Sequence, residues 1–387
     1  MKFKTLKANE YCDSVRDGTH DSPKKVEKGY KLITSKNIKE YGLDLQNASN
    51  ISKKDYDKVN ERSLVEKNDI LYSMIGTIGL IHRVNYEPNY AIKNIGLFKI
   101  KDEQKSKWLY YYLKTPKMKN YINSLLAGST QQYITLNNLR ELPIQIPEIT
   151  SETNKIIYIL DLIETKIMNN THTNNNLYNM CNVVFHNYID KYSEQIEYTK
   201  IIDIADRIIT GKTPSTKNEE FWNGDIPFIT IPDMHNQVFT IDTERTISKV
   251  GAKSLIPKNS ISVSCIATVG LVSISTEESQ TNQQINSIVL KNDYDLYYLF
   301  EFLSEQESFM KNIAGGSTTY NINKTIFENI EVPYLPKNIV QEFHNTVCKL
   351  FDKIKLNQLE NKNLKQLRDT LLPKLMNGEI DLDKVEI

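Results

Sequence analysis

Residues 160–188 read LDLIETKIMNNTHTNNNLYNMCNVVFHNY, and residues 347–375 read VCKLFDKIKLNQLENKNLKQLRDTLLPKL. In the first stretch apolar residues recur at alternating steps of three and four: Leu160, Ile163, Ile167, then Leu177, Val184 and Tyr188. Shifted by 187 residues, the ladder returns as Val347, Leu350, Ile354, then Leu364, Leu371 and Leu375. That spacing is the seam of a coiled coil. Both copies turn polar at the same two steps, Asn170 and Asn174 in one, Asn357 and Asn361 in the other. A further seam position departs from pattern, being Cys181 in one copy and Arg368 in the other. Buried amides without partners are costly. If the helices pair antiparallel, Asn170 and Asn174 face Asn361 and Asn357 and satisfy one another. The alternative is two separate amphipathic helices, each packed on its own domain. By composition the run NNTHTNNN (169–176) also fits a flexible linker, but the unbroken heptad through it favours helix.

The duplication extends beyond the helices. VEKNDILYSMIGTIGLI (65–81) matches IPKNSISVSCIATVGLV (256–272), each a turn followed by a β-rich stretch. AGSTQQYITLNNL (127–139) matches GGSTTYNINKTIF (315–327), and short Pro-bounded strand signals follow at Pro143 to Pro147 and Pro333 to Pro336. The order is therefore head, helix, head, helix. The heads fall at roughly 1–150 and 198–336, and the helical regions at 151–197 and 337–387. Gly378 is expected to stop the second helix, and Pro373 to kink its last turns.

The 387 residues exceed one ordinary core. The most apolar window, 256–274, is broken by Lys258, Asn259, Ser262 and Ser264 and cannot span a bilayer. The N-terminus lacks the apolar core of a signal peptide, so a cytoplasmic location is expected and no membrane partner. Four scattered cysteines (Cys12, Cys181, Cys265, Cys348) lack metal spacing and are expected to be reduced. The net charge of zero conceals an asymmetry: residues 1–150 carry 25 Lys+Arg against 17 Asp+Glu, whereas residues 198–336 carry 11 against 17. The first head can neutralise phosphates. The second needs another reason to approach a polyanion.

A catalytic set is not found. ITGKTPS (209–215) lacks the first glycine of a phosphate loop, Asp206 standing there. EPNY (87–90) departs in two positions from an amino-methyltransferase motif. Asp161, Glu164 and Lys166 sit on the predicted coil without a strand to present them, and a solvated helix face is expected for them. The six histidines form no metal-binding pair, so no metal site is expected.

Three stretches resemble the specificity subunits of Type I restriction–modification systems: IITGKTPSTKNEEFWNGDIPFITIPDM (208–234), the variant VRDGTHDSP (15–23) followed by GYKLITSKNI (29–38), and the C-terminal LRDTLLPKLMNGEIDL (367–382). The likeness covers nearly the whole chain. It implies an α+β fold in which two mixed α/β target-recognition domains are separated by two long helices in an antiparallel coiled coil. It implies double-stranded DNA as ligand, a complex with two methyltransferase subunits, and restriction subunits when the complex cuts. S-adenosylmethionine would sit on the methyltransferase subunits, and this chain would hold no cofactor. Each head would read one part of a split target. The 29-residue ladder would act as a ruler, roughly 43 Å long or on the order of 12 base pairs. A subunit of the same shape serving a Type IIG-like methyltransferase-nuclease, or a scaffold that binds no DNA, are the competing readings.

Base edges and phosphates are met by donors, acceptors and cations on loops. The candidates in the first head are Thr19, His20, Lys24 and Lys25; Ser35, Lys36 and Asn37; and Ser129, Thr130, Gln131, Gln132 and Tyr133. In the second they are Lys212, Thr213, Thr216 and Lys217; Asp233 and His235; and Ser317, Thr318, Thr319 and Tyr320. Trp108 and Trp222 are expected in the core.

Overall fold

The computed structural model describes residues 2–39, 42–128, 132–235, 237–315 and 320–380. The chain forms two compact units, Met1–Met168 with Lys365–Ile387, and Asn169–Leu364. Two helices, Thr150–Lys191 and Lys337–Met376, each give residues to both units. The Asn-rich run therefore lies within a helix and is not a linker. Gly378, at φ +72°, ends the second helix, and the amides of Asn377 and Glu379 reach back to the carbonyls of Pro373 and Lys374.

In the first unit an antiparallel sheet runs in the order Ser14–Asp17, Ile95–Lys99, Ile70–Ser73, Ile81–Arg83. A second sheet places Tyr30–Ile33 between Ser49–Ile51, antiparallel to it, and Tyr90–Ile92, parallel to it. Phe3–Lys7 pairs with Pro143–Pro147. The second unit repeats this plan. Its larger sheet runs Ala205–Thr210, Ile285–Leu290, Ile261–Ser264, Val272–Ser275, with Phe239–Thr240 added at the edge. Its other sheet places Trp222–Ile229 between antiparallel Arg245–Ile247 and parallel Ser279–Thr281, and adds Leu255–Ile256. Glu197–Lys200 pairs with Glu331–Tyr334. Corresponding caps recur: Thr135 Oγ1 accepts from the amide of Asn138, and Asn323 Oδ1 from that of Ile326.

Each unit's core includes both long helices. Ile156, Ile157 and Leu160 join Leu372, Leu375 and Met376 around Trp108 and Leu109 in the first. Cys181 and Phe185 join Val347, Phe351 and Ile354 around Tyr298 and Phe327 in the second. Trp108 and Trp222 are both buried. The four cysteines are free. Among the described residues no helix is long and apolar enough to cross a membrane.

The helices pair antiparallel. In the second unit Asn170 Nδ2 donates to Asn361 Oδ1 at 2.9 Å and to Glu360 at 2.8 Å, while Asn357 Nδ2 donates to Asn174 Oδ1 at 2.8 Å. The Tyr188 hydroxyl donates to Glu342 at 3.0 Å. In the first unit Arg368 meets Glu164 at 3.2 Å, and Lys114 meets the same carboxylate at 3.0 Å. Glu164 is buried, and Asp161 is engaged by Lys107 and the Tyr111 hydroxyl. The solvated helix face expected for these carboxylates is thus corrected. Cations from two other elements neutralise Glu164, and a buried carboxylate needs such partners.

Glu301 lacks them. Glu301 is fully buried, and neither of its oxygens finds a hydrogen-bond partner among the described residues. Burial pushes its carboxyl up to about 8. The folded chain therefore holds this proton over a range in which the unfolded chain, titrating near about 4.3, has lost it. Stability should fall as pH rises from about 4.5 to about 8, by on the order of 5 kcal/mol, and level off above. Glu301→Gln should abolish that decline and leave the variant more stable than wild type at pH 8.5. Denaturant unfolding of both proteins across the range measures it.

Candidate nucleic-acid interface

The two loops that open the heads are fastened alike. After the strand Ser14–Asp17, Gly18 lies so close to the backbone that a Cβ would stand 2.5 Å from Ile92 O. Gly211, after Ala205–Thr210, would meet Asn282 O at 2.1 Å. Only glycine fits such an approach. Thr19 N donates to Ile92 O, and Lys212 N to Thr281 O. Side chains complete the latch differently in each unit. The His20 ring meets Asn94 Oδ1 at 2.8 Å and Asp17 Oδ2 at 2.9 Å, and Asp17 is also paired with Arg62. Thr213 instead donates to Gln283 Oε1. Asp17 is buried, so its charge needs these partners, the Arg62 guanidinium above all.

The two repeated motifs of the sequence meet in space. In the first unit Ala127 and Tyr133 exchange backbone hydrogen bonds, and Ile134 N donates to Met74 O. In the second, Gly315 and Asn321 do the same, and Ile322 N donates to Cys265 O. Ile75 bridges Tyr133, and Ile266 bridges Asn321. The turns they join to share one pin: Ser73 Oγ accepts from Leu80 N at 2.8 Å, and Ser264 Oγ from Leu271 N at 2.9 Å. At one turn position Gly76 has φ +77° and Ala267 has φ +65°. The second unit therefore holds an L-residue in the left-handed region, where strain collects at functional sites.

The candidate residues fall out unevenly. His20, Lys24, Lys25, Lys36, Gln132, Tyr133, Lys212, Thr213, Thr216, Lys217, His235 and Tyr320 are exposed, and Thr19 is half-buried. Ser35 is half-buried on the Asn94 carbonyl at 3.5 Å. Asn37 is buried, its Oδ1 accepting from the Thr34 amide and hydroxyl and its amide donating to Asp44 O. It is a capping residue and presents no free edge. Asp233 plays the same part for Thr230 and also accepts from Glu244 N. Ser129, Thr130, Gln131, Ser317, Thr318 and Thr319 lie outside the described residues. Asp17, Asn94, Arg62 and Gln283 escape the sequence reading because the two copies latch their loops with different side chains.

Holding Ala267 left-handed costs about 1–2 kcal/mol. Glycine relieves that but adds backbone entropy to the unfolded chain, worth roughly 0.5–1 kcal/mol. Ala267→Gly should therefore stabilise by about 0.5–1 kcal/mol, read by denaturant unfolding. Gly76→Ala, where a Cβ meets nothing within 4 Å, should destabilise by a similar amount.

The sequence matches the family described as "Type I restriction modification DNA specificity domain" over residues 3–179 and 193–367. It is 46% identical over 188 residues to the Type I restriction enzyme HindI specificity subunit of Haemophilus influenzae, covering 47% of this chain and 41% of that protein. It is 34% identical over 184 residues to the MjaIX specificity subunit of Methanocaldococcus jannaschii, covering 45% of this chain and 41% of that one. Each match thus spans less than half the length of the relative. The fold is similar to the crystal structure of a Type-I restriction-modification system S subunit from M. genitalium, with a TM-score of 0.59 at 16% identity over 97% of this chain and 96% of that one. The family match takes in both repeats and most of each long helix, and the chain belongs to the Type I restriction modification DNA specificity domain family.

Proposed function

We propose that this chain is the DNA-reading subunit of a Type I restriction–modification complex, each head reading one half of a split asymmetric target. The observation that carries the reading is the duplicated junction. In both units the same serine-pinned turn is bridged to the loop that holds the second repeat, and a latched opening loop recurs beside the same kind of strand pair. One scaffold used twice, with different exposed side chains, suits a ligand whose two halves differ. Duplex DNA has the approximate two-fold that such a pair would meet.

The chain acts without chemistry of its own. Two methyltransferase subunits carry S-adenosylmethionine and extrude the target adenine, and restriction subunits join when the complex cuts. Exposed apolar side chains on the long helices support docking by partners: Tyr158 and Leu162 in the first unit, Met180, Val183 and Leu356 in the second. The paired helices set the length of the unread spacer.

The test is single-molecule sequencing of methylated adenine in DNA from cells that express this chain with its methyltransferase subunit. A split, asymmetric motif methylated once on each strand is expected, and it should vanish when this chain is omitted. Methylation by the methyltransferase alone, or an unsplit motif, overturns the proposal.

A further inference from the structure

The parts that the two units share cannot distinguish one half-site from the other, because matched residues occupy matched places. Discrimination must come from what differs. One difference surrounds the smaller sheet of each unit. In the second unit Trp222 and Ile226 both face Ile247, a bulge that passes through Asn223 at φ +60°. The bulge sets the Trp222 indole across the sheet. Its Nε1 donates to Ser215 O at 3.1 Å, and Phe228 meets it edge-on at 5.2 Å. Over the Trp222 ring lies the guanidinium of exposed Arg245, its Cζ 3.5 Å from the centroid.

Two lysine backbones are tied to the same sheet in a head that is acidic overall. The buried Gln280 side chain donates to Lys212 O at 2.7 Å and accepts from Lys253 N at 2.7 Å, so one amide fixes both lysine backbones. Lys253 Nζ in turn lies 5.8 Å over the Phe221 ring. Arg245 forms no ion pair with any carboxylate among the described residues. The corresponding sheet of the first unit is furnished otherwise. Tyr30 and Tyr56 stack at 4.1 Å, and Lys53 sits over both while paired with Asp57. One unit thus presents a lysine point charge and the other a planar fork.

A guanidinium stacked on an indole loses little freedom on binding and keeps its in-plane N–H donors for a partner. Such a fork matches the two acceptors, O6 and N7, that guanine shows in the major groove. We infer that Arg245, held on Trp222, is a specificity-determining residue of the second unit that reads a guanine in one half-site. The inference rests on the DNA reading proposed above and adds to it one residue and one base.

The experiment is a binding selection from a random-sequence duplex pool, using the full chain assembled with its methyltransferase subunits. Wild type is compared with Arg245→Lys and Arg245→Gln. Expected is loss of guanine preference at one position of one half-site, on the order of 10- to 100-fold, with the other positions and the second half-site unchanged. Arg245→Lys keeps the charge and should lose that preference too. A uniform drop with the motif intact makes Arg245 a phosphate contact and overturns the assignment, as does an unchanged motif. If wild type enriches no motif, the DNA reading itself fails and the assignment with it. Equal melting temperatures of the three assemblies exclude misfolding as the cause.

Discussion

Everything in this fold depends on two helices of one chain recognising each other in a single register. Leucine seams slide, because one apolar step resembles the next, whereas an amide placed off its partner is buried without a hydrogen bond. The Asn170–Asn361 and Asn174–Asn357 pairs therefore make slippage by a heptad costly. Register matters here beyond the helices. Each head closes its core on both of them, so Leu160 and Leu372, or Phe185 and Phe343, must arrive together.

The duplication keeps the order of the central strands and changes the chemistry around them. The seam position that carries Arg368 against Glu164 in the first unit is Cys181 in the second, where it packs in the aromatic cluster with Phe351. An ion triad and an apolar cluster thus fill equivalent places. Buried ion pairs add little net stability but penalise wrong partners strongly. The first seam is therefore selective through charge and the second through shape. Glu301, buried without a neutralising cation, shows the opposite choice, a carboxyl kept protonated by its surroundings.

The seam was legible because its period repeats at every heptad step and the asparagines recur at a fixed shift. The joined motifs 65–81 and 127–139 were visible as repeats, but their meeting through Met74 and Ile134 is a long-range pairing with no local signature. Asn37 misled for a physical reason: asparagine that caps a turn and asparagine that faces solvent look alike in sequence. Glu164 misled because its neutralising cations come from elements fifty and two hundred residues away. The parallel pairing of Tyr30–Ile33 with Tyr90–Ile92, and the seating of Arg245 on Trp222, follow from tertiary packing alone.

The central claim is that the two helices pair through the matched asparagines, and a double-mutant cycle on Asn174 and Asn357 tests it most directly. Denaturant unfolding would be measured for wild type, Asn174→Leu, Asn357→Leu and the double variant. Asn174→Leu strands the buried amide of Asn357 and should cost about 1–3 kcal/mol, whereas Asn357→Leu leaves half-buried Asn174 its bond to Ile354 O and should cost less. The double variant, with both amides replaced, should recover most of that loss, giving a coupling of at least about 1 kcal/mol. Costs that simply add, or single variants as stable as wild type, would contradict the account.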